Sequence, residues 1–226
     1  MQTRWHHFAS DLTWLRATLD WVARAEEAAL TARGVFHIVL AGGNTPRSVY
    51  QALAQEAHDW GRWEGWFGDE RCLPVDHPER NSVMARAALP EQFTQLHPIP
   101  AELGAPAAAR AYADELAGLG DFDLVLLGLG EDGHTASLFP DAPAAAAGDT
   151  VAVFDAPKPP PQRVSLSAPR LSRARQVLFL VSGAGKREAV ERWRAGASAL
   201  PAAQIQPASG VDVLLGPDFP RSGVIS

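Results

Sequence analysis

The stretch GLGEDGHTASLFP, residues 128 to 140, sets Asp132 and His134 among three glycines directly after the apolar run Leu124-Val125-Leu126-Leu127. An imidazole titrates near neutrality, so it can take a proton from water and return it to a leaving group. A carboxylate nearby, Asp132 or Asp69, can fix which ring nitrogen carries the proton. The alternative is a helix-capping Asp132 and a structural His134. Several polar groups converge here with no packing need, which favours the chemical reading.

Four other stretches carry groups of the same kind. In LAGGNTP, residues 40–46, Gly42 and Gly43 let the backbone approach a ligand, and the free amides of the helix that follows favour an anion such as phosphate. Asn44 or Thr45 serving only as a helix cap is the competing reading. In FGDERCLPVDHPERNS, residues 67–82, Asp69, Glu70 and Arg71 stack at a strand end. Adjacent opposite charges usually form a surface network of little worth, but in a cleft a carboxylate orients a partner and an arginine binds an oxyanion.

DAPKPPPQRVSLS, residues 155–167, holds Lys158 and Arg163 on a stiff proline segment, which either presents both to a ligand or is a surface connector with two solvated charges, the reading that composition slightly favours. VSGAGKREAV, residues 181–190, places Lys186 at a helix entrance. It is not a Walker loop, because the required first glycine is replaced by Leu180. Lys158 and Lys186 are the only lysines among 20 basic side chains, so each is a candidate for a place where a compact ammonium is needed.

These groups need a frame. Short apolar runs alternate with helical patterns: a helix over 11–32, a strand in VFHIVLAGG, a helix from Thr45, a strand in WEGWFGDE, helices in NSVMARAAL and PAAARAYADELAGL, then the strand FDLVLLG. After an alanine-rich loop (142–148) come TVAVFDA, RVSLSA, QVLFLVSG, the helix GKREAVERWRAG and the strand VDVLLG. Nearly continuous apolar strands between helices predict an α/β fold whose mostly parallel sheet is covered on both faces. Ligands bind outside the carboxyl ends of such strands, and Gly42-Gly43, Asp69-Glu70-Arg71, Gly128 to His134 and Gly183 to Lys186 all follow predicted strands.

With 226 residues, no long linker and no repeat, the chain reads as one α/β domain over 1–226. A hydrophobic fraction of 46% against 20% charged residues supports a real core. A single cysteine, Cys72, and an N-terminus without an apolar core predict a cytoplasmic protein with no signal segment. No run reaches membrane-spanning length. The formal charge of −6 argues against nucleic acid as a partner. His6, His7, His58, His77 and His97 lack ligand spacing, so no metal is expected. Trp60, Trp63 and Trp66 read as packing, or an interface, rather than a stacking platform. A monomer acting on a small molecule is the expectation.

Taken in order and spacing from about residue 38 to 190, LAGGNTP, GDERCLPVDHPERNS, GLGEDGHTASLFP, KPPPQRVSLS and VSGAGKREAV resemble the motifs of the 6-phosphogluconolactonase family. The resemblance implies a Rossmann-like three-layer αβα sandwich, shared with glucosamine-6-phosphate deaminase. It also implies hydrolysis of 6-phospho-D-glucono-1,5-lactone in the oxidative pentose phosphate pathway, without metal or organic cofactor. It gives His134 as the base, with Asp132, Asp69 and Arg71 as its catalytic company. Gly42, Gly43, Asn44 and Thr45 match the phosphate loop, Arg163 and Lys186 complete the phosphate pocket, and Lys158 contacts substrate. Asn44 stands where the family usually has serine.

The deaminase motif resembles DGHIAFNEP, with a glutamate five residues after histidine. Phe139 occupies that place here, and an apolar ring cannot move protons. A phosphosugar-sensing module would need a DNA-binding helix-turn-helix, for which the segment before residue 34 leaves no room. A catalytically dead scaffold fits poorly with an intact Asp132, His134 and Arg71.

Overall fold

The computed structural model describes residues 2–140 and 148–219; most of the alanine-rich loop expected at 142–148 lies outside them. Ten strands and six helices follow one another in the described chain: β1 Thr3–His7, α1 Asp11–Arg33, β2 Phe36–Leu40, α2 Asn44–Leu53, β3 Trp63–Phe67, β4 Asp69–Arg71, α3 Asn81–Ala88, β5 Leu96–His97, α4 Ala105–Glu115, β6 Phe122–Gly128, β7 Thr150–Val153, β8 Arg163–Leu166, α5 Ala168–Ser172, β9 Ala174–Val181, α6 Arg187–Arg194 and β10 Val211–Leu215.

Seven strands form one sheet in the order β1-β10-β9-β6-β2-β3-β5, and every pairing in it is parallel. Their apolar character follows from burial on both faces: Leu124, Val125 and Leu126 of β6 and Ile38 and Val39 of β2 are wholly inaccessible. α1 packs across β2, β6 and β10. Ser10 caps its start in a reciprocal pair with Thr13, and Gly34 ends it with φ of 76°.

The order of strands explains where a ligand goes. β2 leads through α2 to β3 on one side, whereas β6 leads to β9 on the other. The gap between the carboxyl ends of β2 and β6 is therefore a switch point, open to a ligand.

One expectation needs revising. TVAVFDA and RVSLSA do not extend the main sheet; with Asp69–Arg71 they make a separate antiparallel sheet, β4-β8-β7. The stretch WEGWFGDE is accordingly two strands. Gly68 joins them, donating to Leu40 of the large sheet at 3.0 Å and accepting from Leu166 of the small one at 2.8 Å. The edge strand β1, rich in Arg and His, carried too weak an apolar signal to be anticipated.

The tryptophans pack, as their apolar bulk suggested. Trp63 is wholly buried among Phe36, Trp60, Phe93 and His58. Beneath them Glu26 of α1 accepts from Trp63 Nε1 at 2.7 Å and the Asp59 amide at 3.0 Å, and lies 2.5 Å from His58 Nδ1. Burial alone pushes the Glu26 carboxyl up, but these partners outweigh it and hold the group below the usual carboxylate range.

A depressed folded-state value means the unfolded chain binds the proton first. The stabilisation is therefore complete above the ordinary glutamate value and is lost as pH falls through the lowered one. Glu26→Gln should cost about 2–3 kcal/mol at neutral pH in urea unfolding, because the buried donors lose a charged acceptor. That difference should shrink in acid; a deficit independent of pH would assign the effect to packing instead.

Candidate active site

The loop leaving β6 is built around Asp132. Its Oδ1 accepts the His134 backbone N–H at 3.0 Å and lies 2.6 Å from His134 Nδ1, so one carboxylate oxygen shapes the turn and orients the ring. Desolvation raises the Asp132 carboxyl, but the His134 amide and imidazole outweigh it and keep the group below its ordinary range. An ionised Asp132 accepts only, so Nδ1 is the donor to it, and in the neutral imidazole the lone pair falls on Nε2. The imidazole is 28% exposed, enough to meet a ligand.

Gly130 makes this packing possible. Its amide donates to the His134 carbonyl at 2.7 Å, and a β-carbon there would lie 2.0 Å from Nδ1.

Asp69 is placed differently. It is buried at the head of β4, with Oδ1 accepting from Asn81 Nδ2 at 2.9 Å and Oδ2 from Ser137 Oγ at 2.6 Å. The carboxylate on the imidazole is Asp132. Asn81 and Ser137 had not been singled out; both lie inside the quoted motifs, but nothing in those motifs told which polar residue would turn inward.

Glu70 departs from the surface network expected of GDER. It is fully buried and accepts from the Asn81 amide at 2.7 Å, the Ser82 amide at 2.9 Å and Ser82 Oγ at 2.7 Å. That carboxylate satisfies the start of α3, where no side chain of α3's own capping residue does.

Arg71 and Arg163 are register partners across the antiparallel β4–β8 pair. Two like charges directly opposite destabilise a sheet, so their retention points to an anion. Arg71 Nη1 donates to the Glu79 carbonyl. Arg163 Nη2 donates to the Lys158 carbonyl at 2.8 Å and Nε to the Pro160 carbonyl at 3.1 Å, so the proline segment serves to hold this guanidinium. Burial depresses Arg163, with Asp69 opposing and Arg71 adding to that shift.

At the end of β2, Gly43 takes φ of 102° and precedes α2 with no side-chain cap. The reading of Asn44 or Thr45 as mere caps therefore fails, and among the described residues no side chain caps the first amides of α2. Gly42 must lack a β-carbon, because one would lie 2.0 Å from Asn81 Oδ1.

One cleft of about 550 Å³ is lined by Gly42, Gly43, Asn44 and Thr45 at the β2–α2 junction, Asp69 and Arg71 from β4, Asp132 and His134 after β6, Lys158 between β7 and β8, Arg163 from β8, and Lys186 after β9. Every residue that the resemblance assigns to the site thus lines the same space, whereas Glu70 of GDER does not. Phe139, Asn81 and Ser182 also line it. Among the described residues no group of three or more metal-ligating side chains converges, and no helix is long and apolar enough to cross a membrane.

Comparison with known proteins gives a consistent answer. Residues 11–214 match the family described as glucosamine-6-phosphate isomerases/6-phosphogluconolactonase. The 6-phosphogluconolactonase of Synechocystis is 42% identical over 175 residues, covering 72% of each chain. That of Mycobacterium leprae is 36% identical over 223 residues, covering 90% of this chain and 89% of the other. The crystal structure of 6-phosphogluconolactonase from Thermotoga maritima superposes with a TM-score of 0.86 at 26% identity, covering 95% of this chain and all of that one (100%).

Proposed function

Because this chain belongs to the glucosamine-6-phosphate isomerase/6-phosphogluconolactonase family, we propose that it hydrolyses 6-phospho-D-glucono-1,5-lactone to 6-phospho-D-gluconate, the lactone-opening step of the oxidative pentose phosphate pathway. The observation that carries this reading is the Asp132–His134 pair opening into the same cleft as the uncapped start of α2, Arg163 and Lys186. The cations and helix amides take the phosphate. The imidazole works on the carbonyl at the other end of the sugar.

In the mechanism, His134 Nε2 removes a proton from water as the oxygen attacks C1. Electrons move onto the carbonyl oxygen, and Arg71 stabilises that oxyanion. As the tetrahedral centre collapses, the bond from C1 to the ring oxygen breaks and the imidazolium returns its proton to the departing C5 oxygen. Asp132 stabilises the imidazolium in between. Ester hydrolysis changes no oxidation state, so the step itself calls for no redox cofactor. Asp69 holds the phosphate loop through Asn81, which lies against Gly42. Lys158 meets the substrate from the proline segment.

Remote binding energy is what aligns the carbonyl. Arg163→Ala and Lys186→Ala should therefore each raise KM about tenfold or more, the worth of a charged hydrogen bond, with kcat falling less. The assay supplies freshly generated lactone and follows acid release against spontaneous hydrolysis. Wild-type protein that releases acid no faster than buffer would overturn the lactonase reading.

Deaminase chemistry has less support. The position its relay would need holds the Phe139 ring, 4.9 Å from the imidazole. A net charge of −6 and the free thiol of Cys72 suit a cytoplasmic enzyme that acts alone, as a monomer of one domain, on a small anion rather than on nucleic acid.

A further inference from the structure

The turn after His134 is tighter than the chain needs simply to continue. Thr135 and Leu138 bridge one another, with the Leu138 amide donating to the Thr135 carbonyl at 2.9 Å, and Ala136 between them takes φ of 47°. Left-handed backbone at a residue with a β-carbon persists only where the surroundings over-determine it, and such outliers gather at functional sites. This turn delivers two side chains. Ser137 reaches Asp69, and Phe139 is folded back onto the imidazole.

The Phe139 ring touches both halves of the site. Its centroid lies 4.9 Å from that of the His134 ring at an inclination of 45°, and 5.8 Å from Arg163 Cζ. The side chain is only partly buried in the cleft wall, so core packing does not dictate its place.

We propose that Phe139 is a positioning residue: its ring sets the tilt of the His134 imidazole and seats the Arg163 guanidinium, and so fixes the spacing between the base and the phosphate site. This inference rests on the lactonase reading. Asp132 holds one edge of the imidazole, which leaves the ring able to rock about that contact; the aromatic neighbour removes this freedom. Attraction of a guanidinium to an aromatic face does the same for Arg163. Alignment of reacting atoms is sensitive to shifts of an ångström, so the effect falls on kcat as well as on binding.

The test compares Phe139→Leu with Phe139→Tyr in the full chain, with inorganic phosphate as a separate reader of the anion site. Phe139→Leu should lower kcat about tenfold through lost alignment. It should weaken phosphate inhibition about threefold through the lost ring–cation contact. Phe139→Tyr, which keeps the ring, should restore both to within about twofold of wild type. Wild-type kcat and phosphate inhibition in Phe139→Leu would overturn the proposal, as would a tyrosine variant no better than leucine. Phe139→Met gives the same readout should the leucine variant be unstable. Absence of turnover in wild type refutes the lactonase reading instead; calorimetry of phosphate binding to the same variants still decides whether the ring seats Arg163.

Discussion

His134→Ala lowers kcat by about a hundredfold or more, with KM for the lactone close to wild type. The direction follows from where the ring stands. Its Nδ1 is committed to Asp132 at 2.6 Å, so the only nitrogen free to accept a proton is Nε2, and alanine removes it. The phosphate contacts we propose come from the start of α2, Arg163 and Lys186 and do not pass through this side chain, so binding should be retained. Residual activity over buffer is expected from the bound geometry and the oxyanion contact proposed for Arg71, neither of which the change removes. Initial rates over a range of lactone concentrations separate the two constants. A variant with wild-type kcat would remove His134 from the base role whatever its place in the cleft.

Gly130→Ala should be nearly as damaging, although it deletes no functional group. The added carbon would lie 2.0 Å from His134 Nδ1, 2.3 Å from Cε1 and 2.6 Å from Asp132 Oδ1. Contacts under 3.0 Å force something to move, and the imidazole is the movable part. Displacing a base by about an ångström costs on the order of a hundredfold in rate. Unlike Gly133, whose φ is 89°, Gly130 is not among the left-handed glycines, so alanine fits the backbone itself. The expected outcome is a large fall in kcat with a melting temperature and a phosphate affinity close to wild type. A large loss of melting temperature, or of phosphate binding, would mean that the loop rather than the ring had given way.

Much of this site is legible in the residue order because loops at strand ends are short and stiff. Gly42–Thr45, Asp132, His134 and Lys186 each follow an apolar run directly, so knowing the strand locates the side chain. Arg71 and Arg163 are a harder case. Their shared register arises from a second sheet whose strands are three or four residues long and partly polar, and nothing in DER or RVSLS announces that they pair. For the same reason the buried role of Glu70 was hidden: a charged triplet reads as surface until α3 is known to start above it. Asn81 and Ser137 were missed because their partner is Asp69, brought to them by tertiary packing alone. β1 was invisible for want of apolar residues, since an edge strand needs fewer of them.

That edge strand has a consequence for how the molecule is made. Arg4 stands in register with Asp212 and is bonded to it at 2.6 and 2.8 Å, across a sequence separation of 208 residues. A ribosome releases β1 before β10 with most of the sheet between them, so β1 waits for its neighbour while β2, β3, β6 and β9 emerge. Closing so long a loop is slow, whereas β2, α2 and β3 dock locally as they appear. The hydrogen-bonded rim at β1 is thus the last part of the large sheet to form on the nascent chain.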